Sequence, residues 1–118
     1  MHVVIATDGS RQSLAAARHL KSFADPGKVT EVSVIAVIRP LASVSFADEI
    51  SAGERRRVGT EVGTFRQAAQ DAVAAIAAVF DGWGPKIHQR VRSGSPAAEI
   101  IKLAGQVDAG LVLSLIHI

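Results

Sequence analysis

Short, uninterrupted apolar runs alternate along this chain with longer stretches whose apolar residues recur every three or four positions. The first run covers residues 3–6, and a second lies in Glu31–Ile38, which is rich in β-branched residues. Runs without polar alternation are typical of strands buried on both faces of a parallel sheet. The pattern therefore predicts two buried strands, at residues 2–7 and 31–38.

The amphipathic stretches predict three helices between the strands. Residues 10–24 carry an apolar stripe that Asp25, Pro26 and Gly27 end. A third helix is expected to begin at Ser95, with Pro96 at the first helical position, where the missing N–H costs nothing. The second helix, predicted for residues 54–80, has the longest stripe, which consists of Val58, Val62, Phe65, Ala69, Ala72, Ile76 and Val79.

The remaining elements complete an alternating order of strands and helices. Residues 86–91 alternate apolar and polar side chains as an edge strand does, and residues 110–115 predict a fourth strand. Residues 41–53 are expected to form an irregular connection. Strands that alternate with helices predict an α/β fold, with one open parallel sheet flanked by helices.

Composition narrows the class of protein. The 118 residues suit a single domain, and the absence of cysteine excludes disulfides and thiolate metal sites. Asp8 interrupts the first apolar run, so it is no signal peptide, and no run reaches the ~18 apolar residues of a membrane helix. We therefore expect a cytoplasmic protein without a membrane partner.

Positive charge does not predict a nucleic-acid partner. The formal net charge is only +2, and the one basic cluster, Arg55, Arg56 and Arg57, contains no aromatic residue. Nucleic-acid binding needs a basic face together with stacking aromatics. The cluster is better explained as a solvated helix face.

Catalytic and metal-binding motifs are missing from the sequence. It contains no GxxxxGK[ST] loop, no GxGxxG and no HExxH. The four histidines lie far apart, and His88, on the alternating strand, is expected to be packed or solvated. We expect no catalytic residue and no metal ligand.

The stretch HVVIATDGS is the best candidate for a binding site. It places Asp8 where the first strand ends, and the carboxyl ends of parallel strands form the ligand crevice of open α/β sheets. The crevice residues that we predict are Ala6, Thr7, Asp8, Val37 and Gly94. An alternative is that Asp8 only caps the first helix.

The chain resembles the universal stress protein family in three segments. These are VVIATDGSRQSLAAARHL, EVSVIAVI and VRSGSPAAEIIKLAGQVDAGLVL, with the ATDGS turn and the GxPAxEI pattern as the most specific marks. The resemblance covers almost the whole chain and is loosest at residues 41–55. It implies a Rossmann-like sheet, similar to the adenine nucleotide alpha hydrolases, with strand order 3-2-1-4-5.

The resemblance also implies a function in the stress response. Many members of the family bind ATP, and many dimerise through the last strand. In ATP-binding members the first turn supplies contacts that fall on Ala6 and Asp8 here, and a backbone contact to adenine falls on Val37.

One segment departs from the family pattern. Where the family has a glycine-rich phosphate loop, Gly-x2-Gly-x9-Gly-Ser/Thr, this chain has Leu115 and Ile118 in place of the first two glycines. We expect residues 1–118 to form one domain of order 3-2-1-4 that is truncated, lacks the fifth strand and binds ATP weakly or not at all. The alternative function is a dimerising interaction module without a nucleotide, and an ATP-using enzyme is the weakest interpretation.

Overall fold

The structure, a computed structural model, describes residues 1–38 and 52–116; for residues 52–64 it describes the helix and not the side chains. The strands are β1 (His2–Thr7), β2 (Glu31–Ile38), β3 (Lys86–Ser93) and β4 (Leu111–Leu115). The helices are α1 (Arg11–Phe23), α2 (Ala52–Val79) and α3 (Pro96–Gln106), with a 3-10 turn at Pro26–Lys28.

All four strands are parallel and lie in the order β3-β2-β1-β4. The predicted α/β fold, with β1 inside the sheet and β3 at an edge, is confirmed. In the described part of the chain, no helix is both long and apolar enough to cross a bilayer.

Two element bounds differ from the prediction by two residues, and the other bounds agree within one residue. Strand β3 continues to Ser93 because its last residues pair with the end of β2, where Ile38 lies opposite Ser93. Helix α2 begins at Ala52, ahead of the predicted start at residue 54. Residues 41–51 of the predicted irregular connection lie outside the described residues, as do the side chains of Val58, Val62 and the arginine cluster at 55–57.

The core consists of two layers because successive residues of a strand point to opposite faces of the sheet. Val3 and Ile5 of β1 belong to the layer that packs against α1 and α2, in which Ile76 and Phe80 are buried. Val4 and Ala6 point the other way and pack against Leu103 of α3. Every residue from Val3 to Thr7 is buried, which is why the run shows no alternation.

A polar cluster joins the amino ends of three strands. The carboxylate of Glu31 lies 3.2 Å from Nδ1 of His2 and 3.3 Å from Nε2 of His88. The other ring nitrogen of His2 lies 2.7 Å from the hydroxyl of Ser33, which is buried. The two imidazole rings stack at 6.2 Å, so His88 has the structural role that its position in the sequence indicated.

This cluster makes part of the stability depend on pH. The hydrogen bond from His88 is the largest effect on the pKa of Glu31, which lies below its ordinary value. Desolvation opposes that shift, and the charges of His88, His2 and Lys86 add to it. A carboxyl group with a lowered pKa stabilises the fold above its unfolded-state pKa, and this stabilisation is lost as the pH falls through the folded-state pKa.

We expect the stability difference between the parent chain and Glu31→Gln to be full at pH 6 and to disappear as the pH falls below about 4.5. Urea unfolding at a series of pH values measures it. In His88→Gln, NMR titration of Glu31 should show the pKa moving back up. An unchanged pKa in that variant would contradict the assignment of His88 as the main cause.

Candidate functional site

The turn after β1 is held by its own side chains. The N–H of Gly9 donates to Oγ1 of Thr7 at 3.1 Å, and the N–H of Ser10 donates to Oδ1 of Asp8 at 2.9 Å. Gly9 has a φ of +79°, which an L side chain rarely adopts. The turn therefore presents the Asp8 carboxylate at the carboxyl end of β1.

Ser10, and not Asp8, is the N-cap of α1. Its hydroxyl accepts a hydrogen bond from the N–H of Ser13 at 3.0 Å, as expected for a serine at this position. The alternative prediction, that Asp8 is only the cap of α1, is therefore wrong, because Ser10 occupies the N-cap position. Asp8 instead accepts a hydrogen bond within the turn that precedes the helix.

Thr7 connects the turn to the protein interior. It is 2% exposed, and its hydroxyl is hydrogen-bonded to the hydroxyl of Ser13, which is itself buried. Because buried hydroxyls are costly without partners, this pair fixes the end of β1 against the first turn of α1. The position of the neighbouring Asp8 is thereby set by a rigid strand end.

A cavity of about 330 Å³ lies beside this turn, between the carboxyl ends of β1 and β2 and the helix α2. This volume is within the range of about 300–1,000 Å³ that is usual for small-molecule sites. The lining residues are Thr7, Asp8, Ala36, Val37, Ile38, Phe65, Ala68, Ala69 and Ala72.

Three of the five predicted site residues meet in this cavity. Thr7, Asp8 and Val37 line it. Ala6 is 1% exposed and packs into the layer under α3, so it does not line the cavity. Gly94 follows β3, where its N–H donates to the carbonyl of Ile38 at 2.9 Å, and it is likewise outside the lining.

The structure gives Gly94 a packing role. Its φ is +141°, and a Cβ there would lie 3.1 Å from a carboxylate oxygen of Glu99. Glycine is therefore needed for the chain to pass from β3 into α3 beside that side chain. Leu115, which stands where the family has a glycine, packs against the core layer under α1 and α2, and Ile118 lies outside the described residues.

The helix side of the cavity was not among the predicted site residues. Phe65, Ala69 and Ala72 belong to the apolar stripe of α2, which the sequence assigns to a single face, but Phe65 is 45% exposed. The stripe divides because Ile76 packs against the sheet, whereas Phe65 and Ala72 line the cavity. The sequence signal for a cavity at this place on α2 is that the small residues Ala69 and Ala72 follow the large Phe65 in the apolar stripe.

The lining determines what the cavity can hold. Among the described lining residues the polar side chains are Thr7, whose buried hydroxyl is already bonded to Ser13 and Gly9, and Asp8, whose carboxylate accepts hydrogen bonds. The other described lining residues are apolar. Among the lining residues that the structure describes there is no lysine, arginine or histidine. No group of three or more histidine, aspartate or glutamate side chains among the described residues is arranged so that it could hold a metal ion. The described lining therefore suits a largely apolar molecule that can donate hydrogen bonds to a carboxylate through hydroxyl or amine groups.

Comparison with protein families gives one match that extends over most of the chain. The model of the universal stress protein family matches residues 1–114. Universal stress protein MJ0531 of Methanocaldococcus jannaschii is 31% identical over 111 residues, which is 94% of this chain. The chain spans 61% of the length of that relative.

Solved structures share the fold at lower identity. A universal stress protein family member from Burkholderia pseudomallei superposes with a TM-score of 0.67 at 17% identity, over 96% of this chain and 79% of that one. A universal stress protein solved in complex with cAMP gives a TM-score of 0.55 at 20% identity, over 95% of this chain and 69% of that one. At such identities the likeness supports the fold alone.

Proposed function

Because the chain belongs to the universal stress protein family, we propose that the cavity beside Asp8 binds the adenosine part of an adenine nucleotide. The observation that carries the proposal is the meeting of Thr7, Asp8 and Val37 around one volume of about 330 Å³. The complex of a related protein with cAMP supports the same ligand class.

Each part of the lining has a role toward adenosine. The Asp8 carboxylate accepts hydrogen bonds from the ribose hydroxyls, as acidic residues do in other nucleotide-binding α/β folds. Val37 and Ile38 form an apolar wall, and Phe65 on α2 offers a ring for contact with the base. Gly94 does not line the cavity. Its N–H donates to the carbonyl of Ile38, and this hydrogen bond holds the end of β2, which does line it.

The phosphates of ATP add little affinity in this proposal. Phosphate groups are usually held by backbone N–H groups of glycine loops and by cations, and the described lining contains no cation. Adenosine should therefore bind at least as tightly as ATP. The protein acts as a cytoplasmic binding module in the stress response, with no catalysis of its own.

Asp8→Ala should weaken adenosine binding by about 1.5–3 kcal/mol, the range for a hydrogen bond to a charged group. Calorimetric titration of the parent and the variant measures this, with ATP as the second ligand. Asp81→Ala, which removes the same charge from an exposed turn after α2, is the control and should bind adenosine as the parent does.

A thermal melt of Asp8→Ala separates a loss of binding from a loss of folded protein. Equal adenosine affinity in the parent and Asp8→Ala would show that the carboxylate serves the turn alone. If ATP bound much more tightly than adenosine, the proposal that the phosphates add little affinity would be wrong.

A dimerising interaction module is the second candidate function. β4 is at the edge of the described sheet, and its Leu111 and Val112 are 40% and 42% exposed. An edge strand with exposed apolar side chains can pair with a second copy of the chain.

Val112→Lys should reduce self-association in sedimentation experiments at matched concentrations, because a charge on an edge strand disfavours pairing. Lys102→Arg, which keeps the charge of an exposed helix residue, is the control. A parent chain that sediments as a monomer at high concentration would contradict this second function.

A further inference from the structure

A second cavity lies at the other end of the sheet from the candidate nucleotide site. It has a volume of about 120 Å³ and lies between the carboxyl end of α1, the amino ends of the strands and the turn after α2. Val3, Ile5 and Val32 form its floor, and Leu20 of α1 and Ala24, the C-cap residue that follows it, form one wall. It shares no lining residue with the cavity beside Asp8.

The cavity contains no buried, unsatisfied polar side chain, among the described residues, that would require a polar ligand. Its lining residues are apolar except for Asp25 and Lys28. The Asp25 carboxylate already accepts a hydrogen bond from the N–H of Gly27 at 2.9 Å, and the Lys28 carbonyl accepts one from the amino group of Met1 at 3.2 Å. In the part of the chain that the structure describes, no buried side-chain nitrogen or oxygen lacks a hydrogen-bond partner. A water molecule needs two to four polar partners, so such a space favours an apolar occupant.

Its size selects a very small molecule. A dry cavity of about 150 Å³ lined by aliphatic and aromatic residues is known to bind benzene or xenon, and this one is slightly smaller. Drug-sized ligands need at least about 300 Å³. One six-membered ring is therefore about the largest guest that fits without rearrangement.

Aromatic residues favour a ring over an aliphatic guest. Phe80 and Trp83 both line the cavity, with ring centroids 5.2 Å apart and planes inclined by 56°. Such a tilted pair presents both an edge and a face, and a third ring gains from either. Phe80 is 1% exposed, so this wall is fixed in position.

The entrance consists of side chains that can move. Met1 and Leu111 line the cavity and are 47% and 40% exposed. Met1 lies across Gly110, where a Cβ would come within 2.5 Å of its Cγ. Methionine is unbranched and adapts its shape readily, so a small guest can enter without movement of the strands.

We propose that this cavity is a binding site for a single neutral aromatic ring, separate from the nucleotide site. The ring packs against Phe80 and Trp83 and is covered by Met1. Occupancy stabilises the folded chain, because a ligand that binds only the folded state shifts the unfolding equilibrium toward it.

Benzene is the probe for this proposal, and Trp83, the only tryptophan of the sequence, is the reporter. Titration of the whole chain with benzene should change the tryptophan fluorescence in a saturable way and raise the Tm. Naphthalene, with two fused rings, should produce neither effect at equal concentration.

Ala24→Leu fills the cavity and should weaken benzene binding at least tenfold. Ala15→Leu makes the same change at an exposed position within α1 and should leave binding as in the parent. Leu111→Phe, at the exposed margin, narrows the entrance and provides a second test if Ala24→Leu folds poorly. A linear, unsaturable fluorescence change in the parent, or equal benzene affinity in the parent and both lining variants, would overturn the proposal.

Discussion

Replacing Phe80 by alanine should lower the free energy of unfolding by about 3–5 kcal/mol, which is the range for losing a buried phenylalanine. Phe80 is 1% exposed and belongs to the core layer under α1 and α2. It also packs on Trp83 at a centroid distance of 5.2 Å. The substitution removes transfer free energy and leaves a void that the parallel sheet cannot close. Urea unfolding followed by circular dichroism measures the loss.

Phe23→Ala is the matched control for Phe80→Ala. Phe23 is 68% exposed at the end of α1 and makes an edge contact with His19. Surface substitutions usually change stability by less than about 0.5 kcal/mol. Similar losses in the two variants would mean that burial does not determine the contribution of Phe80.

Leu103→Ala should cost about 2–5 kcal/mol of unfolding free energy. Leu103 is the only buried residue of α3, and it fills the layer formed by Val4, Ala6 and Ile35. One side chain therefore accounts for much of the attachment of α3 to the sheet. Differential scanning calorimetry and urea unfolding both measure the change.

The neighbouring residue provides the control on the same helix. Ile101 is 72% exposed, and Ile101→Ala removes a comparable aliphatic side chain from the opposite side of α3. We expect a change of less than about 0.5 kcal/mol. A larger loss at Ile101 than at Leu103 would show that α3 packs on the sheet by another face.

Much of the fold could be predicted from the sequence because the two inner strands, β1 and β2, are buried on both faces. A run such as residues 3–6 has no other stable location than the inside of a covered sheet, and the bounds of β1 and β2 follow from it. The end of β3 did not follow from the sequence. Arg92 and Ser93 are polar and carry no strand signal, and they are extended because β2 continues beside them.

The strand side of the candidate site could be predicted from the sequence, and the helix side could not. Asp8 follows a buried strand and precedes a helix, so its place at the crevice is a local property of the chain. The helix wall is not local, because whether Phe65 meets the sheet or an open space depends on where α2 crosses it. Ala6 was predicted as a site residue but does not line the cavity. It neighbours Thr7 in sequence, and its side chain points to the opposite face of the sheet, toward α3.

Pairing between β1 and β4 joins residues that are far apart in the described part of the chain, since Val3 lies opposite Leu111. The central strand therefore remains half-paired until nearly all of the described chain has been synthesised. Contacts between such distant residues form late and slow the folding of a domain. Strands β1 and β2, each of which lies between two strands, should retain their amide protons longest in hydrogen exchange, and the more exposed β4 should release its protons first. The sheet would then open from the β4 side while β1, β2 and β3 remain together.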